Sequence, residues 1–138
     1  MSEQITKALE KMRCGYNCAQ AVVCAYSELF GMEEKEAFRL SEGFGGGMGG
    51  LQGVCGAVTG AFILAGLKNS KGVPTPTTKP STYRDVRKIA QAFEEKNSTT
   101  ICALLKGEKG GVKLRSCEGC VEDACNLVEK ILLSSEKT

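Results

Sequence analysis

Ile5, Ala8, Leu9 and Met12 recur at i, i+3, i+4 and i+7, and apolar residues keep that helical spacing through almost every segment. No run alternates apolar and polar residues with the period of two that a half-buried strand requires. The chain is therefore predicted to be an all-α, single-domain bundle of about five to six helices over residues 1–138, with one glycine-rich loop. At 138 residues and 42% hydrophobic, it is long enough to enclose its own core.

Turn and cap residues set the expected boundaries. "RCGYN" interrupts the first helix, and Asn17 is the expected N-cap of a second. That helix carries Cys18, Ala21, Val22, Ala25 and Leu29 on one face and stops near Gly31. A short helix is expected over Glu33 to Ser41, ended by the glycine run, and a fourth over Val54 to Leu67. Pro74 and Pro76 mark a loop, after which "TYRD" at residues 82–85 reads as a capping box with Asp in the Glu position. The next helix presents Val86, Ile89, Ala90 and Phe93 on one face. A short helical turn near Cys102 is preceded by the candidate caps Ser98, Thr99 and Thr100. The last helix should run from Cys117 to Ser134, with Val121, Ala124, Cys125, Val128 and Leu132 inward.

Charge excludes several functions. A formal net charge of +2 is too small for a nucleic-acid binder, and the cluster Lys106, Lys109, Lys113, Arg115 reads as a solvated loop. Glu42, Glu118, Glu122 and Asp123 read as solvated or N-terminal helix charges rather than paired catalytic carboxylates. The apolar part of the uncharged stretch, Val54 to Leu67, is 14 residues long, too short to span a bilayer. The amino-terminal sequence "MSEQITKALEKMRCGYNC" has no secretory apolar core, so a cytoplasmic protein without a membrane segment is expected.

Eight cysteines and no histidine are the outstanding feature of the composition. Without histidine, neither a Ser/His/Asp triad nor a Cys/His pair can form. In a reducing compartment, abundant cysteine points to metal binding or redox chemistry more than to a disulfide framework. Cys18, Cys55, Cys102 and Cys117 all fall at expected helix starts. Unpaired N–H groups and the positive end of the helix dipole favour a thiolate there. For Cys14, Cys24 and Cys125 the plain reading is a small buried hydrophobe. Cys120 makes "CEGC" with Cys117, a dithiol or metal-ligand signal, although no second CxxC completes a zinc ribbon. Tyr16 and Asn17 flank Cys18 and are candidate donors to its sulfur.

The stretch "GFGGGMGGLQGVCGAVTGA", residues 43–61, surrounds Cys55 with glycine. Gly45, Gly47 and Gly50 match G-x-G-x-x-G in spacing, but a helix rather than a strand precedes them and Asp85 is the next acidic residue. Dinucleotide binding is therefore set aside, and no GK[ST] completes a P-loop. Gly56 and Gly60, four apart, should let a neighbouring backbone approach closely, and that small-residue face would also suit a homodimer. The upstream glycines, with Gly45, Gly46 and Gly47 at their centre, can aim N–H groups at an anion or sulfur. The stretch is read as housing for Cys55.

"GYNCAQAVVCAYSELFG", "GFGGGMGG" and "CGAVTGA", followed by single cysteines near "CALL" and before "VEDA", resemble the C_GCAxxG_C_C family of redox-active proteins from about Gly15 to Leu132. In this chain the central motif reads Cys-Gly-Ala-x-x-Gly. The resemblance carries over to Cys18, Cys55, Cys102 and Cys117 as site residues and to Gly56 and Gly60 as motif glycines. It implies an oxidoreductase-like or electron-transfer role with a redox partner protein. It also implies a bound prosthetic group such as an iron–sulfur cluster.

Two versions of a redox site follow. In one, the four cysteines hold zinc or an iron–sulfur cluster, and the amides of Gly45, Gly46, Gly47 and Gly56 hydrogen-bond around it. In the other, pairs of thiols cycle with disulfides. The alternatives are a non-catalytic metal or anion carrier and a structural helical assembly module with buried cysteines.

Overall fold

The computed structural model describes residues 2–108 and 110–134. Among them, seven α-helices form an all-α domain. They are α1 (Glu3–Arg13), α2 (Cys18–Tyr26), α3 (Glu34–Ser41), α4 (Gly56–Asn69), α5 (Lys79–Asn97), α6 (Cys102–Lys106) and α7 (Cys117–Leu127). The seventh helix beyond the expected count is the five-residue α6. Among the described residues the sole β-type pairing is an isolated antiparallel bridge between Val54 and Ile101. No helix among them is long and apolar enough to cross a membrane.

α4 is the central helix and packs against α2, α5 and α7. Every residue of α2 from Ala19 to Tyr26 is buried, and the core continues through Val58, Ala61, Leu64, Ile89, Phe93, Val121 and Val128. The α2–α4 crossing is close because two positions have no side chain. A Cβ on Gly60 would lie 3.1 Å from the Ala19 carbonyl oxygen, and one on Gly56 would lie 2.9 Å from that of Phe44. The small-residue face is thus covered inside the chain, by α2 and by the turn that precedes α4.

Asn17 caps α2 as expected. Its Oδ1 accepts from the Gln20 N–H at 2.8 Å, while Gln20 Oε1 accepts from the Asn17 N–H at 3.0 Å, a complete capping box. Asn17 Nδ2 also donates to the Glu42 carbonyl at 3.0 Å, fastening the start of α2 to the end of α3.

Four local expectations are corrected. Leu29 is exposed, because the chain tightens to a 3₁₀ turn over Ser27–Phe30 and rotates it off the buried face. "TYRD" lies inside α5, which starts at Lys79 with proline in its first turn; Asp85 is a buried acceptor for Lys68 and Asn69 instead of a cap residue. Ile101, not a threonine, is the N-cap of α6, and Thr99 Oγ1 accepts from the Ile101 N–H. Cys14 is exposed, since α1 ends at Arg13 and leaves it as the C-cap. Val128–Leu133 continues α7 as a π-helix that still buries Val128 and Leu132.

Candidate functional site

The glycine run folds into a left-handed turn over Gly45–Met48, with Gly46 at φ 64° and Gly47 at φ 70°. Gly47 is constrained twice over. Its φ disfavours any side chain, and a Cβ would meet the Gln52 Cα at 2.7 Å and the Cys102 Cβ at 2.8 Å. The turn therefore lies directly against α6. From it the chain runs out to pair with the segment before α6. The Cys55 N–H donates to the Thr100 carbonyl at 2.7 Å, and the Cys102 N–H to that of Gly53 at 2.6 Å. This clamp holds Cys55 and Cys102, distant in sequence, at the ends of two adjoining helices.

Cys18 is the first residue of α2, Cys55 the N-cap of α4, Cys102 the first residue of α6 and Cys117 the first of α7. Ser116 caps α7 by accepting from the Gly119 N–H at 2.9 Å, which sets the turn that carries Cys120. All four expected cysteines and Cys120 line one cavity of 150 Å³. Gly46, Gly47 and Gly56 contribute to its wall; Gly45 does not, being packed against the Asn17 side chain. Exposure falls steeply through the set. Cys117 is exposed and Cys18 half-buried, while Cys102, Cys55 and Cys120 are 7%, 5% and 3% exposed.

Across the cavity the sulfur neighbours act on one another's acidity: Cys120, as a thiol donor, favours the Cys55 thiolate, and Cys117 disfavours ionisation of Cys18. The Cys120 donor, helped by the amides of Val58 and Ala57 and the charge of Lys106, outweighs burial and lowers the Cys55 pKa to about 7. Donation to Cys55, together with burial, pushes Cys120 up. Burial first, then the charge of Cys117, raises Cys18 to about 12. Cys102 is also raised, because burial outweighs Lys106. The Cys120 donor, with the first amides of α4 behind it, thus lowers the pKa at Cys55, whereas desolvation prevails at Cys18 and Cys102.

Tyr16 and Asn17 do not serve the sulfur of Cys18. The Tyr16 hydroxyl donates to Glu34 Oε2 at 2.6 Å, and the Asn17 side chain is used in capping. Cys24 and Cys125 are buried in the core as expected. Asp123, read from sequence as a surface charge, is buried and accepts from Arg115 Nε at 3.0 Å, Arg115 Nη2 at 3.1 Å, Lys96 at 2.6 Å and Asn97 at 3.1 Å. Arg115 is consequently no solvated loop charge; it lines the cavity with Lys106. A Cβ on Gly119 would meet its guanidinium carbon at 2.5 Å, so the glycine of "CEGC" lets that cation lie across the first turn of α7. Lys109 lies outside the described residues.

An all-thiol donor set suits soft metals and iron–sulfur clusters in its chemistry. Among the described residues, however, no three Cys, Asp or Glu side chains are grouped to hold one ion. The thiols instead line a shared space from four segments of the chain.

No curated protein and no solved structure matches this chain. The family model described as "Putative redox-active protein (C_GCAxxG_C_C)" matches residues 16–131, which include seven of the eight cysteines and the whole glycine stretch. With a match over most of its length, the chain belongs to the C_GCAxxG_C_C family of redox-active proteins.

Proposed function

We propose that the protein is a thiol–disulfide exchange protein in which Cys55 and Cys120 form the redox pair. The observation that carries this reading is that Cys55 and Cys120, both buried, line one cavity with three further cysteines, Cys120 being the largest influence on the acidity of Cys55. Exchange needs a thiolate with a pKa near ambient pH and a second thiol within reach to resolve the mixed disulfide. Cys55 meets the first need and Cys120 the second.

In the reducing direction, the Cys55 thiolate attacks one sulfur of a small disulfide and breaks its S–S bond. One thiolate leaves and takes a proton from solvent. Cys120 then gives up its proton and attacks the Cys55 sulfur, and the second thiol departs with that proton. The two cysteines lose two electrons as their disulfide forms, and the substrate gains two as its own breaks. A cytoplasmic setting, where thiols are kept reduced, would return the pair to the dithiol. Arg115 and Lys106 favour the negative charge that sulfur carries through these steps.

The test is oxidation of anaerobically purified protein with a mild small disulfide, followed by thiol counting and peptide mass mapping. Loss of two thiols with a Cys55–Cys120 cross-link is expected. Oxidation that leaves both of these thiols free overturns the reading.

Five thiols around one cavity also favour a second reading, an iron–sulfur or zinc site on Cys18, Cys55, Cys102 and Cys117. The sulfurs would have to draw closer to one another on loading. Stoichiometric metal in the anaerobic protein, lost when any one of the four is replaced, would select it. The assembly-module alternative would require function to survive replacement of Cys18, Cys55, Cys102 and Cys117 together, and the carrier alternative a tightly bound metal that neither changes redox state nor exchanges.

A further inference from the structure

The redox pair proposed above is buried, and the cavity over it is small. A space of 150 Å³ is comparable to one that accommodates benzene, and no folded protein or loop can enter it. Yet the same cavity is lined by a second pair of thiols, Cys18 and Cys117, and Cys117 is the exposed member of the five. The two pairs interlock through α7. Cys117 and Cys120 sit three residues apart on one helical turn, on the same side of the helix, so the outer Cys117 has the inner Cys120 beside it, while Cys18 and Cys55 line the same cavity. A dead-end pocket for a small disulfide does not need this outer pair.

We infer that Cys18 and Cys117 form a surface relay that reduces the disulfide of a partner protein and then takes electrons from Cys55 and Cys120. This rests on the exchange reading above and extends it to a macromolecular substrate and an order of events. Cys117, as its thiolate, attacks the partner's disulfide, and one partner sulfur leaves and takes a proton from solvent. Cys18 attacks the Cys117 sulfur, and the partner's second thiol departs with the proton that Cys18 gave up. The Cys18–Cys117 disulfide is then opened by the Cys55 thiolate, which bonds to the Cys18 sulfur while Cys117 leaves as a thiolate. Cys120 resolves the Cys18–Cys55 bond, its proton passing to Cys18. Two electrons have moved outward and one disulfide has moved inward. The partner's own disulfide is the sole oxidant required.

The experiment uses the full chain, reduced and metal-free, challenged separately with insulin as a protein disulfide and with bis(2-hydroxyethyl) disulfide as a small one. Samples are quenched with an alkylating agent over time and mapped by mass spectrometry. With insulin, the Cys18–Cys117 disulfide is expected first and the Cys55–Cys120 disulfide after it. Cys120→Ser should accumulate the Cys18–Cys55 cross-link. Cys117→Ser should lose oxidation by insulin while the small disulfide still yields Cys55–Cys120. Cys14→Ser, which removes the exposed cysteine outside the cavity, should behave as the unaltered chain does.

Insulin oxidising Cys55 and Cys120 in Cys117→Ser at the unaltered rate would overturn the relay and leave the exchange reading standing. So would a Cys18–Cys117 disulfide that never passes inward while the small disulfide oxidises the inner pair. Failure of the Cys55–Cys120 disulfide to form with either oxidant would remove the exchange reading itself.

Discussion

At the scale of single residues, the chemistry turns on the contrast between Cys55 and its sulfur neighbours. A thiol with a pKa near 7 is half ionised at neutral pH, and one raised to about 12, as Cys18 is, stays protonated. Alkylation of Cys55 across pH, followed peptide by peptide, should therefore show a midpoint of about 7. Removing the Cys120 donor in Cys120→Ala should move that midpoint up toward the ordinary thiol value of about 8.5. An unchanged midpoint would mean that the α4 amides alone set the acidity. Helix starts marked Cys18, Cys55, Cys102 and Cys117 in the sequence, and all four line the cavity. Their acidity was not legible, because desolvation competes with the helix dipole and depends on what the rest of the chain lays over each sulfur. "CEGC" did signal Cys120, but not that its partner would be Cys55 rather than Cys117.

At the scale of elements, glycine acts as the device that brings two helices together. Gly56→Ala would force a Cβ to 2.9 Å from the Phe44 carbonyl, and the turn that lines the cavity would have to shift. A loss of about 1–3 kcal/mol is expected from such overpacking, measured by urea denaturation. Gly66 lies in the same helix, and a Cβ added there would have nothing within 4 Å. Gly66→Ala should stabilise by about 0.5–1 kcal/mol, through helix propensity alone. Opposite signs for two identical substitutions in one helix would separate contact from propensity. The helices themselves were readable from periodicity and caps, as Asn17 and Gln20 illustrate. Boundaries failed where tertiary contacts intervened: Asp85 was taken up by Lys68 and Asn69, and Leu29 was turned outward by a 3₁₀ segment.

At the scale of the whole molecule, Asp123 joins α5, α7 and the segment before α7 through Lys96, Asn97 and Arg115. Burial by itself would raise its pKa, but these three donors prevail and hold the carboxyl below its ordinary value. The unfolded chain consequently binds the extra proton in the acid range. The stabilisation is fully present above about pH 4 and is lost as pH falls through the folded pKa. Asp123→Asn should cost about 1–3 kcal/mol at neutral pH and flatten the acid limb of the stability curve. A curve with the same acid slope would show that other carboxylates govern it.

The sequence by itself determined the helical class, most helix positions, the four motif cysteines and the need for glycine around Cys55. Those properties are local: side-chain spacing, cap chemistry and backbone freedom act over a few residues. The tertiary structure alone decided that Cys120 shares a cavity with Cys55, that Arg115 is held over it by a buried Asp123, and that exposure grades from Cys117 inward. Pairing, burial and electrostatic field arise between segments far apart in the chain, so no short stretch of sequence can specify them.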